Sequence, residues 1–191
     1  FFSGGKTELL TFDESRFPDP AGMIQGLLAK GVHLSLWMFP YVIVKLPGGQ
    51  ETYQFQIMKE RGFLVKNRDG GVCIFQPGEG DAGFGVAALD FTNPGLVEYM
   101  NERVGKLMEL GVGVIKTDFS EEIPEDAVLY DGSTGLEAHN KYPLLYAKTI
   151  FEASKKAKER MGQRALLWGR SGYLGSQNYP ANWAGDSSAA L

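Results

Sequence analysis

Val112-Gly113-Val114-Ile115-Lys116-Thr117-Asp118 is the stretch on which the fold turns. It is short, mostly apolar and rich in β-branched residues, which is the pattern of a buried strand, and it ends on charged residues. Gly111 stops the helix before it. That helix opens at Asn93-Pro94, an N-cap followed by proline in the first turn. Leu96, Val97, Met100, Val104, Leu107 and Met108 recur along it at helical spacing. After Asp118 comes a long loop over 118–136, then the longest helix, expected over 136–161 with a Lys- and Glu-rich second half. Ala165 to Trp168 reads as the next strand, and residues 181–184 as a further one. Upstream, Asp19-Pro20 opens a helix that carries Met23, Ile24, Leu27 and Leu28 on one side, and Gly31 closes it. The run 32–37 (VHLSLW) is strand-like, 52–61 a short helix ended by Gly62, 62–85 a long loop carrying a hairpin, and 86–91 extended.

Helix and strand therefore alternate, which implies parallel strands joined by crossover helices. The glycines do not fall directly between a strand and a helix in the spacing that a dinucleotide-binding turn needs. Acidic, basic and aromatic residues instead follow the strands: Trp37, Lys116 with Asp118, Arg170, and Trp183 with Asp186. Functional residues at the C-terminal ends of parallel strands are the layout of a (β/α)8 barrel, which takes about 250 residues. The expected class is α/β, a partial (β/α)8 TIM barrel, with residues 1–191 forming the central portion of a single catalytic barrel domain. Its first and last strands would lie in a longer parent protein. An open part-barrel exposes strand edges and apolar faces, so these residues alone are expected to be poorly stable.

Composition narrows the partners. Hydrophobic residues make up 43% and charged residues 22%, ordinary globular usage. A net charge of −4 gives no basic patch for nucleic acid or a membrane surface. No apolar run approaches the roughly 20 residues of a membrane span. The single cysteine, Cys73, forms no internal disulfide, and the two histidines, His33 and His139, leave little for a metal site. The lone cysteine and the lack of a leader-like start lean towards the cytoplasm. Aromatic residues at 12% suit a large core and also stacking on sugar faces.

Two segments carry the chemistry. Asp118 directly follows a buried-type strand, with Lys116 two residues earlier on the same side, a cation that favours the charged carboxylate a nucleophile needs. The same two residues also suit a strand-end cap with its paired lysine. Arg170, after the next strand, offers a rigid fork for hydroxyls or carboxylates. Asp186 lies in Trp183-Ala184-Gly185-Asp186, where a carboxyl partly desolvated beside Trp183 would hold its proton as an acid catalyst does. A glycine-rich surface loop with a capping Asp fits that spacing equally well.

The chain resembles glycoside hydrolase family 31, the α-glucosidases and α-xylosidases. Phe12-Asp13, Arg16 to Pro20, Leu34 to Trp37, Pro40-Tyr41 and Asp90 to Pro94 are similar to segments of that family. Lys116-Thr117-Asp118-Phe119 resembles the nucleophile motif of its α-xylosidase-like branch, with Ser120 in place of the more usual glycine. Arg170-Ser171-Gly172, Gly175-Ser176-Gln177 and Trp183 to Ser187 resemble the segment bearing the sugar-binding Arg and the acid/base Asp, with Asn182 where His is usual. The resemblance implies a retaining α-glycoside hydrolase acting on terminal α-xylosides or α-glucosides, with Asp118 as nucleophile and Asp186 as general acid/base. Trp37, Lys116, Phe119, Arg170 and Trp183 would bind the sugar. It implies no metal and no cofactor, an oligosaccharide or small glycoside as substrate, and leaves room for a homo-oligomer of the full-length protein. An α-transglycosylase on the same barrel, or a sugar-binding relative without catalysis, are the competing expectations. Glu121 and Glu122 are not assigned to catalysis, and His33 and His139 are assigned to structure.

Overall fold

The computed structural model describes residues 7–77 and 85–185. Helix α1 (Pro20–Leu28) is capped by Asp19, whose Oδ1 accepts from the Gly22 amide at 2.8 Å. Strand β1 (Ser35–Met38) leads into β2 (Tyr41–Ile43), followed by α2 (Tyr53–Glu60), β3 (Ile74–Phe75) and β4 (Val86–Ala88). Thr52 caps α2, accepting from the Phe55 amide and donating to the Ile43 carbonyl at 2.6 Å, so the cap also ties the helix to β2. Then come α3 (Pro94–Glu109), β5 (Val114–Thr117), α4 (Gly135–Ala138), α5 (Tyr142–Arg160) and β6 (Leu167–Gly169). A 3₁₀ turn (Ser176–Asn178) follows.

Strands β1, β5 and β6 form one parallel sheet in the order β1-β5-β6, with α3 leading into β5 and α5 into β6. Residues 180–183 run along β6 on its far side, with a parallel bridge between Gly169 and Asn182. This is a segment of α/β barrel. Leu36, Ile115 and Leu167 lie side by side in register and are buried with the helices, in a core shared with Met100, Val104, Tyr146 and Ile150. The next register row, Trp37, Lys116 and Trp168, belongs to the opposite face, the one a closed barrel turns inward. There Trp37 and Trp168 each keep 39% of their surface exposed. Gly111, at φ +106°, lets α3 end against α1, since a Cβ there would meet Leu28 Cδ1 at 2.9 Å and Ile24 Cγ2 at 3.0 Å.

The extended run 86–91 contains β4, which pairs antiparallel with both β2 and β3 in a second three-stranded sheet. Two expectations are corrected. The apolar run from Val32 becomes a strand only at Ser35, and Val32 itself is 49% exposed. The helix expected over 136–161 is two helices. Thr134 and Glu137 close a capping box on α4, and α5 restarts at Tyr142 with Pro143 in its first turn, where a proline ring cannot continue a preceding helix. His139 sits at the end of α4 and not inside a long helix.

Candidate active site

Asp118 follows the last residue of β5 and is only 7% exposed. Its amide donates to the Met38 carbonyl at 2.9 Å, which fixes it to the end of β1. Both carboxylate oxygens are engaged. Oδ2 accepts from the Trp37 indole N–H at 2.6 Å and lies 3.7 Å from Lys116 Nζ. Oδ1 lies 3.5 Å from Arg170 Nη1 and accepts from the Phe119 amide at 3.2 Å. A buried carboxylate flanked by two cations and two N–H donors has its charge compensated and its orientation set.

Arg170 leaves β6 with its amide donating to the Thr117 carbonyl at 3.0 Å. Its guanidinium lies over the Phe119 ring at 4.3 Å, and its Nε meets Glu121 Oε1 at 2.8 Å. Lys116 Nζ sits over the Trp183 ring at 3.8 Å and near the Trp168 ring at 5.5 Å. The Trp183 indole nitrogen is buried and has no hydrogen-bond partner among the described residues. Trp37 stacks on Phe39 at 5.0 Å, and Phe39 meets Phe119 and Tyr41 edge-on. The structure thus brings Trp37, Lys116, Asp118, Phe119, Arg170 and Trp183 around one point. Asp186 lies outside the described residues. Among the described residues no group of three or more His, Cys, Asp and Glu side chains could hold a metal ion.

Several participants escaped the sequence reading. Glu121, set aside there, is the second carboxylate on Arg170. Tyr146, fully buried on α5, donates to the same Met38 carbonyl that receives the Asp118 amide. Burial first, and then the Asp118 charge, push its hydroxyl well above the usual tyrosine range, so it stays a donor. Tyr41 Oη donates to the Glu122 carbonyl and accepts from the Glu122 amide. Ser171 Oγ donates to the Phe119 carbonyl at 2.7 Å and is hydrogen-bonded to Ser120 Oγ. The i, i+4 spacing of Tyr142 and Tyr146 was the one signal available for the buried hydroxyls.

The model of the glycosyl hydrolases family 31 TIM-barrel domain matches residues 3–191. An alpha-xylosidase of Emericella nidulans is 38% identical over 176 residues, covering 92% of this chain and 21% of that protein. A family 31 sulfoquinovosidase from E. rectale, solved with an aza-sugar inhibitor, superposes with a TM-score of 0.78 at 28% identity, covering 94% of this chain and 26% of the other. A cycloalternan-degrading enzyme from Trueperella pyogenes, solved with a covalent intermediate, gives 0.73 at 29% identity over 88% of this chain and 23% of its own. The chain spans about a fifth of the length of the curated relatives it matches.

Proposed function

This chain belongs to glycosyl hydrolase family 31, and we propose that it is the central portion of the catalytic barrel of a retaining α-glycoside hydrolase. The observation that carries the proposal is the setting of Asp118: a carboxylate at the C-terminal end of a barrel strand, held by Trp37, Lys116 and Arg170 on the inward face. In the first step an Asp118 oxygen attacks the anomeric carbon while the bond to the leaving oxygen breaks, and Asp186 gives that oxygen its proton. The product is a covalent glycosyl-enzyme. In the second step Asp186 takes a proton from water, the water oxygen attacks the anomeric carbon, and the Asp118 carboxylate is released. Two inversions leave the configuration retained. The covalent intermediate of the Trueperella pyogenes relative supports this route.

Lys116 and Arg170 hold sugar hydroxyls, and Trp37, Phe119 and Trp183 form the walls of the cleaved subsite. The substrate is an oligosaccharide or small glycoside with a terminal α-xylosyl or α-glucosyl unit. The similarity to an alpha-xylosidase favours xylose. The lone buried thiol of Cys73 fits a cytoplasmic protein, and no described helix is long and apolar enough to cross a membrane.

The test uses the full-length parent protein and a panel of fluoro-glycosyl inactivators of xylo, gluco and galacto configuration, with the labelled peptide mapped by mass spectrometry. A label on Asp118 is the expected result, and the reacting sugar names the substrate class. Folded protein that takes no label would favour the sugar-binding relative without catalysis. A label on another residue would remove Asp118 from the nucleophile's role.

A further inference from the structure

We infer that the hydroxyl pair Ser120–Ser171 is a positioning clasp, which holds a strained turn directly after Asp118 and so aims its carboxylate. The inference rests on the reading of Asp118 as the nucleophile. Phe119 and Ser120 have φ of 58° and 86°, two consecutive residues other than glycine in the left-handed region. Each is disfavoured there by its Cβ, and such conformations persist only where the surroundings over-determine them. Glycine would adopt Ser120's conformation freely.

The surroundings supply what the turn needs. A hydroxyl has one proton. Ser171 Oγ–H donates to the Phe119 carbonyl, so in the contact between the two serines Ser120 donates and Ser171 accepts. Ser120 is fully buried, and its hydroxyl has no other partner among the described residues. On the far side of the turn Tyr41 Oη grips both the carbonyl and the amide of Glu122. Ahead of it the Asp118 amide is fixed to Met38. Ser171 directly follows Arg170, whose amide is bound to Thr117. One hydroxyl therefore fastens the loop of the carboxylate to the loop of the cation that flanks it. Tyr41 and Met38 fix the ends of the turn, and Ser171 fixes its strained middle.

This arrangement makes a prediction that an ordinary supporting contact does not. Ser171→Ala removes the fastener and leaves the strained pair free to relax, which moves Asp118. Adding Ser120→Gly removes much of the strain, so the turn keeps its shape without the fastener. The second substitution should then repair the first, although it deletes another hydroxyl.

The experiment measures two quantities in the full-length protein and its variants. One is the rate of Asp118 labelling by the fluoro-glycosyl inactivator that reacts with the parent. The other is amide hydrogen exchange across residues 118–122. A displacement of about 1 Å at a reacting group can cost roughly 10²-fold, so labelling in Ser171→Ala should slow by about that factor. The double variant Ser120→Gly/Ser171→Ala should recover to within about tenfold of the parent, and Ser171→Thr, which keeps the hydroxyl, should label like the parent. Exchange should quicken in Ser171→Ala and slow again in the double variant. Parent-like labelling in Ser171→Ala, or a double variant no faster than Ser171→Ala, overturns the clasp. If Ser171→Ala yields no folded protein, recovery of folded, labelled protein in the double variant supports the clasp, and failure of both to fold overturns it. A parent whose Asp118 takes no label overturns the nucleophile reading; the clasp is then read from exchange alone, supported by quickening in Ser171→Ala that slows again in the double variant and overturned by exchange that is the same in all three.

Discussion

The indole N–H of Trp37 donates to Asp118 Oδ2 at 2.6 Å across 81 residues of sequence. Trp37 is the next-to-last residue of β1 and Asp118 follows the last residue of β5, and the register of these neighbouring strands sets Trp37 opposite Lys116, two residues before Asp118. One side chain thus serves as a wall of the proposed subsite and as a donor to the proposed nucleophile. Trp37→Phe keeps an aromatic surface against Phe39 and removes the donor. A hydrogen bond to a charged group contributes about 1.5–3 kcal/mol, so kcat/KM for the reacting glycoside should fall by about ten- to a hundredfold. Steady-state kinetics of the full-length variant check this, and an unchanged kcat/KM would leave Trp37 as wall only.

Arg170 tests whether planarity matters as well as charge. Its guanidinium spans Asp118 and Glu121 while its Cζ lies 4.3 Å from the centre of the Phe119 ring. Lysine keeps the charge but not the fork. Arg170→Lys should lower kcat/KM by about tenfold, or about 1.4 kcal/mol, because a single ammonium cannot reproduce the fork that reaches both Asp118 and Glu121. A variant with parent-like kinetics would reduce Arg170 to a point charge.

The two buried tyrosines of α5 should differ when their hydroxyls are deleted. Tyr142 Oη donates to the Leu89 carbonyl at 2.8 Å and is 3.2 Å from that of Pro40. Tyr146 Oη donates to Met38 at 3.1 Å. The Met38 and Pro40 carbonyls each keep a backbone donor, from Asp118 and Leu89 respectively. No backbone donor to the Leu89 carbonyl is found among the described residues. Tyr146→Phe should therefore cost about 1 kcal/mol and Tyr142→Phe about 1–3 kcal/mol. Denaturant titration of the full-length variants gives the order, and a larger loss for Tyr146→Phe would contradict it.

Asp90 carries a pH dependence. It is buried to 3% exposure at the end of β4, where it accepts from Thr92 and from the Tyr130 amide. Burial raises its carboxyl above the usual range, against the pull of those hydrogen bonds. A carboxyl raised by folding binds its proton more tightly in the folded state. Its contribution to stability is therefore greatest below the ordinary Asp value of about 3.9 and falls as pH rises through the folded value. Asp90→Asn cannot titrate and should lose this part of the slope. Stability measured from pH 3 upward, parent against variant, checks it, and parallel curves would show that the site is indifferent to the charge of Asp90.

Local chemistry made much of the scaffold readable. Asp19-Pro20, Thr52 and Asn93-Pro94 start helices because a short polar side chain satisfies amides that the first turn leaves open, and a proline fits where no amide partner is needed. Where local signals competed, the sequence misled. The apolar spacing of 136–161 is helical throughout, but Pro143 divides it. The run 86–91 is extended as its composition suggests, but composition does not choose a partner, and β2 with β3 claimed it in an antiparallel sheet.

By itself, the sequence determined that β5 is a buried strand and that Asp118 follows it with Lys116 on the same side, because strand periodicity is a property of neighbouring residues. It also placed Arg170 just beyond the next strand. Only the tertiary structure decided that Trp37 reaches Asp118, that Glu121 shares Arg170, and that Ser171 fastens a left-handed turn at Phe119 and Ser120. Those contacts join residues about 50 to 80 positions apart, except for the turn itself. They exist because parallel strands of the barrel end side by side, a juxtaposition set by strand register and helix packing that no local pattern encodes.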